Sequence, residues 1–231
     1  MEWTSWEHSG LTPIFGQIHQ DLEPLEGKSI LVLCCATGFF PSTFSSRMDT
    51  GRVVGLELDD ESLAAARKWV GPGRRTCPVS LLKAEPRRIP FPDESFDALL
   101  SDFILYPTPR PTEIGQAEMA RVLKPGGRMV LTDVIVTRIM PQEIRDELKT
   151  IGLGYLCDAT VDDFHRWMSR AGLSNVEVTD MTRYARKAWS RRQAADPAHA
   201  HAYSILLEDP KWRLGEAIYY IYARADKPAV K

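Results

Sequence analysis

The feature that most constrains this chain is a series of short, almost unbroken apolar stretches separated by helical patterns and Pro/Gly stops. Residues 29–34 and 52–58 form two such stretches, and residues 96–101 and 128–136 repeat them. A strand covered on one face alternates apolar and polar side chains, whereas one that is apolar throughout is covered on both, as in a parallel sheet flanked by helices. Helix signals fill the intervals. Asp60 can cap a helix carrying Leu63, Ala64 and Trp69 that stops at Gly71-Pro72-Gly73, and Thr160 with Asp163 makes a capping box for a helix ending at Gly172. The alternation predicts an α/β architecture, a doubly wound and mostly parallel sheet with helices on both faces. Residues 175–180 read as a further strand. A polar and aromatic stretch follows over 183–214, and the tyrosine-rich segment 217–225 reads as the last strand, with side chains to bury on both faces.

A chain of 231 residues can be one domain built on one core, so residues 1–231 are taken as a single unit. Its 29 basic and 31 acidic residues leave a formal charge of −2, too weak a field to draw the molecule onto nucleic acid. The first residues lack the basic flank and apolar stretch of a signal peptide, and no window approaches a membrane span, so a cytoplasmic location is expected. Cys34, Cys35, Cys77 and Cys157 form no CxxC pair, which leaves no basis for a disulfide framework or a zinc site, and no metal is expected.

Chemistry enters at the turn after the first strand. The run ILVLCCATG, residues 30–38, passes from an apolar strand into a helix, where open α/β sheets bind ligands at the carboxyl ends of their strands. About twenty residues on, the second strand ends in Glu57, followed by Leu58, and an acid at that place can accept hydrogen bonds from both hydroxyls of an adenosine ribose. Strand, tight loop, helix, strand and acid together suggest a nucleoside ligand. A pyrophosphate would need the close backbone approach of a GxGxxG turn, and residues 36–41 offer one glycine, which disfavours a dinucleotide.

Two further segments narrow the family: IPFPDESFDALLSDFILY, residues 89–106, and MARVLKPGGRMVLTD, residues 119–133. Together they closely resemble the class I S-adenosylmethionine-dependent methyltransferases, nearest the type 11 branch that holds ubiquinone and menaquinone C-methyltransferases and arsenite methyltransferases. The resemblance covers roughly residues 28 to 180. It implies a Rossmann-like sheet with an antiparallel last strand, supplied by 217–225, and S-adenosylmethionine as cofactor. Carried over residue by residue, it assigns Cys35, Ala36, Thr37 and Gly38 to the loop around the methionine. Glu57 and Leu58 fall at the ribose, Glu85 near adenine, and Ser101 beside the methyl donor. The chain also departs from the family pattern. Val32 stands at the usual acidic position, Cys34 and Ala36 replace glycines, and Ala84 occupies the place of the adenine-facing aspartate.

Methyl transfer from a sulfonium is an in-line displacement that positioning and water exclusion can accelerate without a metal or a catalytic triad, so no catalytic residue is assigned. The acceptor falls to the loops at the carboxyl ends of the strands, residues 101–116, 133–162 and 183–214, the last as a lid inserted between the final two strands. Asp102, Tyr106 and Tyr184 are the candidate pocket residues. The expected activity is methylation of a small organic acceptor. The alternative, motivated by Val32, Cys34, Ala36 and Ala84, is a catalytically silent methyltransferase-like subunit that binds a protein partner or another ligand; a homodimer is also compatible.

Overall fold

The structure is a computed structural model that describes residues 12–33, 38–71, 76–102, 115–151, 153, 156–208 and 216–229. Five parallel strands come first: β1 (Ser29–Leu33), β2 (Arg52–Glu57), β3 (Val79–Lys83), β4 (Phe96–Asp102) and β5 (Leu123–Val136). The two-residue β6 (Cys157–Asp158) lies parallel to the end of β5. β8 (Ile218–Asp226) then inserts between β5 and β7 (Ser174–Asp180), antiparallel to both, and the order across the sheet is β3-β2-β1-β4-β5-β8-β7. Chain direction across the sheet therefore reverses between β1 and β4, the switch point at which open α/β sheets hold their ligands.

Helices cover the two faces unequally. One face is packed by α1 (Thr12–Leu22), α2 (Phe39–Ser45), α7 (Thr182–Ala195) and α8 (Ala200–Glu208), through Ile14, Phe40, Phe44, Trp189 and Leu206. Buried residues of α3 (Asp60–Val70) and α5 (Gln142–Lys149), Ala66 and Leu148, join the same cluster. α4 (Gln116–Val122) and α6 (Val161–Arg170) cover the opposite face with Met119, Phe164, Trp167 and Met168. Among the described residues no helix is long and apolar enough to cross a membrane.

Most boundaries fall where the side chains predict. Thr160 caps α6 through the expected capping box, its hydroxyl accepting from the Asp163 amide while the Asp163 carboxylate accepts from the Thr160 amide. The cap of α3 is corrected by one position: Asp59, in extended conformation, accepts from the Ser62 amide at 2.8 Å, and Asp60 is the first helical residue, paired with Lys83 at 2.6 Å. β5 begins earlier than residue 128, at Leu123, so the KPGG sequence lies within it.

The two diagnostic segments are bonded to each other. Arg121 of α4 donates to the Phe91 carbonyl at 2.9 Å, the Ile89 carbonyl at 3.0 Å and the Asp93 carboxylate at 2.7 Å, while Glu118 accepts from the Ile89 amide at 2.9 Å. Lys124 holds Asp97 at 2.8 Å, and Asp97 also accepts from the Ser29 amide at 2.8 Å. This lattice of charge-assisted bonds ties α4 and the start of β5 to the approach of β4, and so fixes where β4 delivers its carboxyl end.

Candidate functional site

Side chains alternate along a strand, so the faces at the carboxyl edge of the sheet follow from the core they adjoin. Val32, Ala98, Leu100, Val130 and Val134 belong to the cluster under α1, α2, α7 and α8. By the same alternation Glu57, Asp102, Thr132 and Tyr220 are directed to that face, and Ser101 and Asp133 to the other. The last residues of β2 and β4 thus flank β1 at the switch point, Glu57 on one side and Asp102 on the other.

Glu57 closes β2 and is only 4% exposed, an uncommon depth for a carboxylate. Leu58 follows it, half-buried, and the Glu57 carbonyl accepts from the Ala84 amide at 2.9 Å, which holds the residues after β3 beside it. Glu85 is exposed at that end of the sheet. Gly38 begins α2 with φ +72°, and a β-carbon there would lie 2.6 Å from the Ala66 carbonyl oxygen of α3. Only glycine lets the chain return from β1 so close to the last turns of α3. Cys35, Ala36, Thr37 and Tyr106 lie outside the described residues.

At β4 two polar residues end an apolar strand. Ser101 is fully buried, and its Oγ has no hydrogen-bond partner among the described residues, a position that an arriving ligand group could satisfy. Asp102 retains partial exposure; Thr132 Oγ1 of β5 donates to its Oδ1 at 2.6 Å. Burial pushes the Asp102 carboxyl up to about 6, with the Thr132 hydrogen bond opposing the shift. Tyr220 of β8 shares a hydrogen bond with Thr132, and its hydroxyl is held well above the ordinary phenol value, first by burial and then by the Asp102 charge. Thr132, Asp133 and Tyr220 were not singled out as site residues from the sequence. A Thr-Asp pair interrupting the apolar run RMVLTDVIV is the signal that could have found the first two, whereas Tyr220 meets them only through the pairing of β8 with β5.

Tyr184 is half-buried one turn into α7, with the Arg183 guanidinium 4.5 Å from its ring centre. The helix starts at the same edge: the Met181 amide donates to the Tyr220 carbonyl at 2.8 Å, and Thr182 Oγ1 accepts from the Tyr220 amide at 3.0 Å. Phe15, Phe39 and Phe40 pack edge to face or tilted, with ring centres 5.2 to 5.5 Å apart, and make an aromatic wall directly after Gly38. Among the described residues no group of three His, Cys, Asp or Glu side chains is arranged to hold a metal, and His199 pairs with Asp196 at 2.8 Å.

Residues 31–131 match a family model described as a methyltransferase domain. The methyltransferase GfsG of Streptomyces halstedii is 26% identical over 198 residues, 83% of this chain and 66% of that protein. The demethylmenaquinone methyltransferase of Shouchella clausii is 35% identical over 105 residues, 45% of this chain and 44% of that protein. The chain thus spans between 44% and 66% of the length of these two relatives. In three dimensions it is similar to the geranyl diphosphate C-methyltransferase of Streptomyces coelicolor in complex with Mg2+, geranyl-S-thiolodiphosphate and S-adenosyl-L-homocysteine. That likeness has a TM-score of 0.69 at 15% identity and covers 94% of this chain and 76% of the other.

Proposed function

We propose that this chain, whose residues 31–131 match a methyltransferase domain, is a class I S-adenosylmethionine-dependent methyltransferase that transfers a methyl group from S-adenosylmethionine to a small organic acceptor. The observation that carries this reading is Glu57, a carboxylate buried at the tip of β2 beside the switch point. A carboxylate that ends the second strand at this distance from the turn after the first can accept hydrogen bonds from both hydroxyls of an adenosine ribose. Gly38 stands at the methionine end, Leu58 at the nucleoside, Glu85 at the adenine side, and Ser101 offers its buried hydroxyl to the donor. Bound there, the cofactor supplies an electrophilic methyl group on a sulfonium. The chain's own contribution is orientation and exclusion of water.

The acceptor side is formed by Asp102 and Tyr184 with the aromatic wall of Phe15 and Phe39, which suits a molecule with an apolar body. Of residues 183–214, α7 and α8 would cover this space, residues 209–214 lying outside the described residues, and the chain is read as one domain. The test is calorimetric titration of the full chain with S-adenosylmethionine and, separately, S-adenosylhomocysteine. Saturable binding is expected, weakened about tenfold to a hundredfold by Glu57→Gln, as for the loss of hydrogen bonds to a charged group. Absence of binding by a folded protein would overturn the reading and leave a silent, partner-binding subunit in its place.

A further inference from the structure

We propose that Asp102 is the residue by which this site distinguishes the charged methyl donor from its neutral product. The inference rests on the proposed function. It begins from what surrounds the carboxylate. Among the described residues Asp102 has no ion-pair partner, and its recorded hydrogen bond comes from the neutral Thr132 hydroxyl, itself bonded to the neutral Tyr220 hydroxyl. Among the described residues the other strand ends along this edge add no positive charge, and the cation that α7 brings to the edge, Arg183, is exposed with its guanidinium 4.5 Å from the Tyr184 ring centre. β5 contributes Asp133, directed to the opposite face with one oxygen accepting from the Val134 amide at 2.7 Å. β2 contributes Glu57, two strands away, and β1 ends in Val32 and Leu33. Among the described residues the ends of β4 and β5 therefore present a carboxylate bonded to hydroxyls.

Charge at the reacting centre changes in a defined way during transfer. A lone pair of the acceptor forms the new bond to the methyl carbon, the carbon–sulfur bond breaks, and its electron pair stays on sulfur, turning a sulfonium cation into a neutral thioether. Donor and product share the same amine, carboxylate, ribose and adenine. What separates them is the methyl group and the positive charge. A carboxylate enclosed in protein, with only hydroxyls to answer it, stabilises a nearby cation far more than it would in water, and gains nothing from the thioether. Asp102 would then favour loading of the donor and release of the product. Since burial holds its carboxyl at about 6, this preference switches on over a range that titration can reach.

The experiment is calorimetric measurement of both dissociation constants, for S-adenosylmethionine and S-adenosylhomocysteine, at about pH 5 and about pH 7, taking the ratio of product to donor. The ratio cancels every group that does not sense the sulfonium. In the unaltered chain one unit of coupling should raise it about fivefold between the two pH values. Asp102→Asn should keep the low ratio at both. Thr132→Val removes the hydrogen bond that favours the ionised form, so its ratio should rise at higher pH than in the unaltered chain. A ratio independent of pH in the unaltered chain, or still dependent in Asp102→Asn, would overturn the inference while leaving methyl-donor binding intact. Binding of neither molecule would overturn the proposed function and this inference together.

Discussion

Keeping Asp102 as a carboxylate among hydroxyls should cost the fold measurable stability, and the cost has a definite pH dependence. Its carboxyl rises from the ordinary 3.8 to about 6 on folding, with burial the main cause. Between those values the native state holds a proton that the unfolded chain has released, so stability falls as pH rises and levels off above the native value. At about 1.4 kcal/mol per pKa unit the full loss is about 3 kcal/mol, of which about 2 kcal/mol falls between pH 4.5 and 7.5. Asp102→Asn has the same shape and no titration. Its advantage over the unaltered protein should therefore grow by about 2 kcal/mol across that interval, whatever constant difference the amide introduces. Urea unfolding followed by tryptophan fluorescence measures it, with Trp167 and Trp189 buried against the two faces of the sheet as reporters. A stability difference that stays constant with pH, or shrinks towards neutrality, would refute the argument that this carboxyl is desolvated in the native fold.

Three further substitutions separate the needs of the site from those of the scaffold. Gly38→Ala brings a β-carbon within 2.6 Å of the Ala66 carbonyl at φ +72°, whereas Gly126→Ala has a similar φ of +78° and no atom within 4 Å. Both carry the left-handed penalty of about 1 to 2 kcal/mol in urea unfolding, but only Gly38→Ala should lose more than that and weaken S-adenosylmethionine binding. Thr160→Ala deletes half of the capping box and should cost about 1 kcal/mol in the same assay, without a change in donor affinity.

The parts of this fold that can be read from the sequence are those whose environment is symmetric. β1, β2, β4 and β5 are covered on both faces, so burial imposes continuous apolar runs on them. β3 is different. It is an edge strand carrying an exposed Leu82 and the Asp60-paired Lys83, and its half-exposed pattern looks like a loop until its pairing with β2 is known. The cap of α3 fails by one residue for a local reason, since Asp59 and Asp60 are equally able to accept from an amide and only the backbone conformation selects between them. The FPDESFD and RVLKPGG segments could be paired as motifs from the sequence, but the cause of the pairing, one arginine bonded to a carboxylate and two carbonyls on the other segment, needs coordinates.

The site divides along the same line. Glu57 is legible because it ends an apolar strand at a fixed distance from a tight turn, so one stretch of chain contains the whole signal. Asp102, Thr132 and Tyr220 come from three strands, β8 lying far along the chain from β4 and β5. They meet because β8 inserts between β5 and β7 in a register that sets Val134 opposite Tyr220. Each alone resembles a polar interruption that a buried strand would do better without. Together they hold a carboxylate at the carboxyl edge of the sheet, bonded by the Thr132 hydroxyl, which in turn bonds to Tyr220. A sheet selected for stability alone would carry apolar residues at these positions, so their presence at the switch point is better explained by the charge of what binds there than by the needs of the fold.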